Sequence, residues 1–173
     1  MHGYQLRTEF DTATGATWPL NVGQVYTTLS RLERDGLVEP VGEAEDGRVT
    51  YKITEQGLNE VEKWFETPVP REGRPRDELA IKLALALTTA GVDVRKVVQL
   101  QRTATLRSLQ DLTKLKAAAD PVSDAAWLLV LEAMIFQAEA EVRWLDFCET
   151  RVRTLPHKAA IRTATPAKEE VPR

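Results

Sequence analysis

At 173 residues the chain is long enough for one compact domain or two small ones, and its apolar content of 43% is that of a globular protein. No apolar run approaches a membrane span, and the N-terminus lacks the basic-then-apolar pattern of a secretory leader, so a cytoplasmic protein is expected. A single cysteine, Cys148, excludes an intrachain disulfide and a multi-cysteine metal site, while a net charge of −3 does not advertise a nucleic-acid binder.

In chain order, residues 3–13 place Leu6, Phe10 and Ala13 on one helical face. Residues 12–19 form a connector in which Gly15 stops that helix and Trp18 packs the turn. The stretch 19–37, PLNVGQVYTTLSRLERDGL, is the most informative of the chain. Asn21 is a good N-cap, Gln24 stands where a capping-box partner belongs, and Leu20 with Val25 can close a hydrophobic staple. Val25, Leu29 and Leu32 make one apolar stripe of a helix that ends at Gly36. The opposite face reads Gln24, Thr27, Thr28, Arg31 and Arg34, the amide, hydroxyl and guanidinium groups that meet base edges and phosphates in a DNA major groove. An ordinary amphipathic helix with a solvated face is the alternative on this stretch alone.

The pattern downstream of this helix favours DNA. Leu37-Val38 opens a strand, residues 43–47 make a polar turn with an Asp46-Gly47 hairpin signal, and Val49, Tyr51 and Ile53 alternate with Arg48, Thr50 and Lys52. The first set is expected on the buried face and the second on the wet one. Thr54 caps a helix over 55–66 whose stripe of Leu58, Val61, Trp64 and Phe65 is expected to cover the back of the unit. Helix, basic-faced hairpin and helix together make a winged helix-turn-helix.

Residues 67–76, with three prolines and a glycine between Thr67 and Pro75, form a linker. Beyond it the composition turns to alanine and leucine. Residues 77–90 form a helix with Leu79, Ile81, Leu83, Leu85 and Leu87 apolar enough for burial on most sides. Gly91 stops it, Asp93 caps the next helix to about residue 119, Asp120-Pro121 breaks that, and Ser123 caps the last. In the last helix Leu128, Leu131, Ile135, Ala138, Val142, Leu145 and Val152 form a coiled-coil-like seam, and Phe136, Ala140, Trp144 and Phe147 form a second stripe. Only the preceding helix is available as an intrachain partner, so one stripe is expected to meet a second copy; a single broad core in a monomer is the alternative.

The segments His2-Gly3-Tyr4-Gln5-Leu6, Trp18-Pro19-Leu20, Gly23-Gln24-Val25-Tyr26, Leu29-Ser30-Arg31-Leu32-Glu33-Arg34-Asp35-Gly36-Leu37 and Tyr51-Lys52-Ile53-Thr54-Glu55-Gln56-Gly57 together resemble the PadR family of bacterial transcriptional regulators. The resemblance is close over about the first 65 residues and looser beyond, where the run from Asp77 to Ala84 is similar to the start of the longer-form effector domain. It implies a further helix ahead of His2, so the expectation is a start upstream of Met1. Losing that helix would remove several core side chains at about 1.5–3 kcal/mol each.

Enzymatic constellations are missing. His2 and His157 stand at the N-terminal edge and in the tail, Cys148 reads as packing, and no glycine loop can cradle a phosphate. The expected fold is mainly α with a small β-hairpin. It divides into a winged helix-turn-helix DNA-binding domain at 1–66, the linker at 67–76, a helical dimerisation/effector domain at 77–155 and a disordered tail at 156–173. The candidate DNA-binding set is Tyr4, Asn21, Gln24, Tyr26, Thr27, Thr28, Arg31, Arg34, Arg48, Thr50 and Lys52. Within it Gln24, Thr27, Thr28 and Arg31 read bases, Tyr26 and Arg34 lie nearer the backbone, and Arg48 and Lys52 contact phosphates. The candidate dimerisation set is Leu128, Leu131, Ile135, Phe136, Val142, Trp144, Leu145 and Phe147. Expected partners are a double-stranded DNA operator, a second copy and a small-molecule effector, with no cofactor, metal or membrane. Against DNA stands the local charge: residues 1–66 hold only Arg7, Arg31, Arg34, Arg48, Lys52 and Lys63 against twice as many acids. A winged-helix protein–protein interaction module is therefore the competing hypothesis.

Overall fold

The computed structural model describes residues 1–43, 48–70 and 77–154. The expected Asp46-Gly47 turn, the 71–76 part of the linker and the tail at 156–173 lie outside the described residues. The architecture is mainly helical with one two-stranded hairpin.

Helix α1 (Gly3–Thr14) opens on a reciprocal cap. The His2 Nδ1 accepts from the Gln5 N–H at 3.2 Å, and the Gln5 Oε1 accepts from the His2 N–H at 3.0 Å. The capping box expected at Asn21 and Gln24 is thus found here instead. At the start of α2 (Val22–Arg34) the Asn21 oxygen takes the nearer Gly23 N–H at 2.8 Å. Gly15 ends α1 with φ +56, and a Cβ there would lie 2.6 Å from the Trp127 ring, so this close approach needs glycine. Trp18, expected to pack the turn, is 56% exposed; Trp127 packs there instead.

Strands β1 (Val38–Glu43) and β2 (Val49–Ile53) pair antiparallel with Glu39 opposite Lys52, and the register slips between Pro40 and Gly42. The expected in–out alternation of β2 is incomplete: Thr50 is half-buried and Ile53 exposed. Residues 1–2 explain the first. The Met1 amino nitrogen donates to the Tyr51 carbonyl at 2.8 Å, the Tyr51 N–H donates to the Met1 carbonyl at 2.9 Å, and His2 bridges Thr50. A third extended segment therefore covers the outer edge of β2.

Helix α3 (Glu55–Glu66) begins at Thr54, whose Oγ1 accepts from the Gly57 N–H and donates to the Gly36 carbonyl at 2.7 Å. It meets the residue leading into β1 through Gly57, where a Cβ would stand 2.1 Å from the Leu37 carbonyl oxygen. The apolar stripe of Leu58, Val61, Trp64 and Phe65 stays exposed all the same, contrary to its expected covering role.

The remaining helices are α4 (Glu78–Thr88), α5 (Val94–Ala118) and α6 (Ala125–Thr154). Contacts group Lys114–Met134 with the winged region, and the rest of α5 and α6 with α4. In the second group Leu83, Val98 and Leu145 form a buried cluster with Leu79, Val94, Val97, Trp144 and Cys148 packed against it. Beside it, Gln99 reaches Glu149 (2.7 Å), Gln101 and Thr105 reach Glu141, and Arg102 reaches Asp146 (2.6 Å). Early residues of α5 thus meet late residues of α6, so the two helices run antiparallel. Only Leu83 and Ala86 of α4 are buried; Ile81, Leu85 and Leu87 are exposed, so α4 is applied by one side rather than buried on most. At the α5–α6 turn Ser123 does not cap. It donates its N–H and hydroxyl to Asp120 Oδ1, which also takes the Val122 N–H.

Candidate nucleic-acid interface

On a wheel of 3.6 residues per turn, Gln24, Thr27, Thr28 and Arg31 fall within about 100° of arc. All four are exposed. Next to them runs the apolar stripe, with Leu29 buried and Val25 and Leu32 half-buried. Leu6, Leu20 and this stripe floor a groove of about 600 Å³ between α1 and α2, with the four polar residues on its rim. The Asn21 cap leaves Gln24 free to present its amide outward. Thr27 donates its hydroxyl to the Gly23 carbonyl at 2.9 Å, which leaves its oxygen able to accept.

The far side of α2 faces the wing. The Tyr51 phenol is pushed up by burial first and then by the charge of the Glu33 carboxylate. Tyr26 packs on Gly3, where a Cβ would meet its ring at 2.9 Å. Residue patterning missed both. A phenol on a half-buried strand draws a polar neighbour, and that was the available signal for the first.

The basic groups differ in how free they are. Arg34 donates Nε to Asp35 at 2.9 Å, which raises its guanidinium further, so it is less available to a phosphate than expected. Arg31 and Lys52 make no ion pair among the described residues. Arg48 and Tyr4 are exposed, Asn21 is occupied as the cap, and Thr50 is half-buried beside His2. The structure thus gathers Gln24, Thr27, Thr28 and Arg31 on one face, and draws Asn21, Thr50 and Arg34 into intrachain contacts.

Residues 1–63 match the transcriptional regulator PadR-like family, and residues 75–153 match the virulence activator alpha C-terminal family. The chain belongs to the PadR-like family. It is a DNA-binding transcriptional regulator, and its family is not one of enzymes. The chain is 25% identical over 157 residues to the negative transcriptional regulator PadR of Bacillus subtilis, covering 84% of this chain and 86% of that one. In fold it is similar to B. subtilis PadR in complex with operator DNA (TM-score 0.63, 22% identity, 87% and 90% covered). The same protein in complex with p-coumaric acid is similar at TM-score 0.66, 22% identity, 88% and 90% covered. The Vibrio cholerae virulence activator AphA is similar at TM-score 0.62, 23% identity, 87% and 89% covered.

The candidate dimerisation residues separate into two groups. Leu131 and Leu145 are fully buried within the chain, and Leu128, Ile135 and Val142 are half-buried. Trp144, expected on the free stripe, packs on the Leu83–Val98–Leu145 cluster. Phe136 and Phe147 alone of the set remain free, at 68% and 60% exposed. Among the described residues no helix is long and apolar enough to cross a membrane, and no group of three or more His, Cys, Asp or Glu could hold a metal ion.

Proposed function

We propose that this chain is a dimeric, ligand-responsive repressor in the cytoplasm that binds a pseudo-palindromic operator through α2 and the wing. The observation that carries this is the single exposed face of Gln24, Thr27, Thr28 and Arg31, on a helix held from behind where Tyr26 packs on Gly3. Side chains fixed from one side and free on the other suit base reading, since the helix need not reorganise to bind. Lys52 adds a phosphate contact from β2, with Arg48 beside it. A twofold protein matches a twofold site, and the exposed Phe136 and Phe147 support an interface between copies. The negative regulator at 25% identity supports repression, and the p-coumaric acid complex of that relative supports a small organic effector.

Fluorescence anisotropy on a fragment of the chain's own promoter region, repeated across salt, tests the reading. Specific binding at nanomolar protein with a steep loss of affinity as salt rises is the expected result. The acidic balance of residues 1–66 favours a protein-interaction module instead, and weak, sequence-blind DNA binding would support it. For the dimer, a Phe136→Glu/Phe147→Glu double variant should sediment as a folded monomer and lose tight operator binding. A wild-type chain that sediments as a monomer at micromolar concentration removes the twofold-operator argument.

A further inference from the structure

The end of α2, the end of β2 and the start of α3 meet at one side chain, Thr54. Helix α2 stops where Gly36 turns left-handed at φ +74, a backbone state that glycine enters without strain. The last N–H groups close back on the helix, Gly36 on the Glu33 carbonyl at 3.0 Å and Leu37 on the Leu32 carbonyl at 2.8 Å. Thr54 then meets the carbonyls of both residues. Its hydroxyl donates to Gly36 at 2.7 Å and its N–H donates to Leu37 at 3.1 Å. The same hydroxyl oxygen accepts the Gly57 N–H at 3.1 Å as the cap of α3. A cap needs only an acceptor, so the bond donated to Gly36 is surplus to capping. Two residues before Thr54 stands Lys52, exposed on β2.

From this junction we infer that Thr54 is a positioning residue for DNA binding: its hydroxyl fastens the wing strand to the end of α2, so that Lys52 reaches a phosphate while α2 reads bases. The inference deepens the proposed function and rests on it. Base edges and phosphates of one duplex lie at fixed separations, so contacts from two elements form together only when the angle between those elements is held. With a loose joint, fixing that angle opposes binding. The joint here contains a glycine, and the Thr54 hydroxyl removes the freedom that Gly36 allows. Thr54 is itself half-buried, so it acts through Lys52 rather than on the DNA.

Fluorescence anisotropy of the full chain on its promoter fragment, repeated across salt, tests this with three variants. Thr54→Ser keeps both the acceptor and the donor and should match the wild type. Thr54→Asp keeps an acceptor for the Gly57 N–H but has no proton for Gly36, and Thr54→Val has neither. Both should bind operator about tenfold more weakly, with a salt slope lower by about 0.9. The added charge of Thr54→Asp weakens binding by itself, so the decisive reading is the coupling to Lys52. Lys52→Ala should lower the slope by about 0.9 in the wild type and in Thr54→Ser, and leave it unchanged in Thr54→Asp and Thr54→Val, where the contact is already lost. A capping role alone predicts the full Lys52→Ala effect in Thr54→Asp, and that result overturns the inference. So does an equal Lys52→Ala effect in every background, or a Thr54→Ser that binds like Thr54→Val. If Thr54→Val fails to fold, Thr54→Asp carries the comparison. A wild type without salt-dependent operator binding removes the regulator reading and this inference with it; wild-type binding that Thr54→Asp and Thr54→Val leave unaltered removes the inference alone.

Discussion

The winged region and the α4–α6 region are held by different means. Among described residues 1–66 only Leu29 is a buried large side chain; the other buried residues of its helices are Gly3 and Gly57, where side chain or backbone passes too close for a Cβ. Hydrogen bonds to the backbone supply much of the remaining cohesion, between Met1 and Tyr51, from the Thr54 N–H to Leu37 and from the Thr54 hydroxyl to Gly36. By contrast the unit formed by α4 with residues 94–113 of α5 and 135–154 of α6 buries Leu83, Val98, Leu112 and Leu145 and flanks them with a polar ladder between α5 and α6. A thin core with close backbone approaches leaves one face of α2 uncommitted and available for DNA.

The largest effect is expected where that contrast is sharpest. Leu145→Ala removes a fully buried side chain at the centre of the helical cluster and should cost about 2–5 kcal/mol, read from the midpoint of chemical denaturation. Gly57→Ala should cost about 1–3 kcal/mol by forcing α3 off Leu37. It should abolish operator binding while most helical circular dichroism persists. If both variants unfold the whole chain in one transition with equal loss, the two regions are not separately stabilised.

Arg31→Ala tests the uncommitted face. Specific operator binding should weaken by about 1–3 kcal/mol with stability unchanged, and non-specific binding should change little. Equal loss on both kinds of DNA assigns Arg31 to a phosphate. Lys52→Ala should reduce the salt slope by about 0.9, one phosphate contact, and leave sequence preference intact. An unchanged slope removes the wing strand from the interface.

The smallest effect belongs to the α5–α6 turn. Hydrogen bonds from Ser123 and Val122 hold the Asp120 carboxyl below its ordinary value. A depressed carboxyl contributes stability that is present above its unfolded value and is lost as pH falls through the lower folded one. The turn should therefore loosen only below the ordinary carboxylate range. Asp120→Asn should flatten that acid limb of the stability curve.

Much of the interface was legible in residue order. A short helix has one wheel, so Gln24, Thr27, Thr28 and Arg31 share a face wherever the helix packs, and the strand pair after it follows from Val, Tyr and Ile spacing. Caps were less legible: Asn21 takes an N–H one residue nearer than the box requires, and the box forms at His2, a residue type seldom read as a cap.

Helix positions, the winged order of elements and the polar face of α2 were set by periodicity and capping chemistry, which act within a few residues. Tertiary packing alone decided which stripes were used. The apolar faces of α3 and α4 predict burial equally well from composition, yet the α3 stripe stays exposed, and α4 turns only Leu83 and Ala86 inward. Trp18 stays exposed where Trp127 packs on Gly15, and Trp144 packs on the core beside Leu145 while Phe136 and Phe147 stay outside. A pattern fixes the angle of a side chain about its own helix axis. Which angle faces the rest of the protein depends on contacts made across tens of residues, and those are settled by shape and close approach rather than by local sequence.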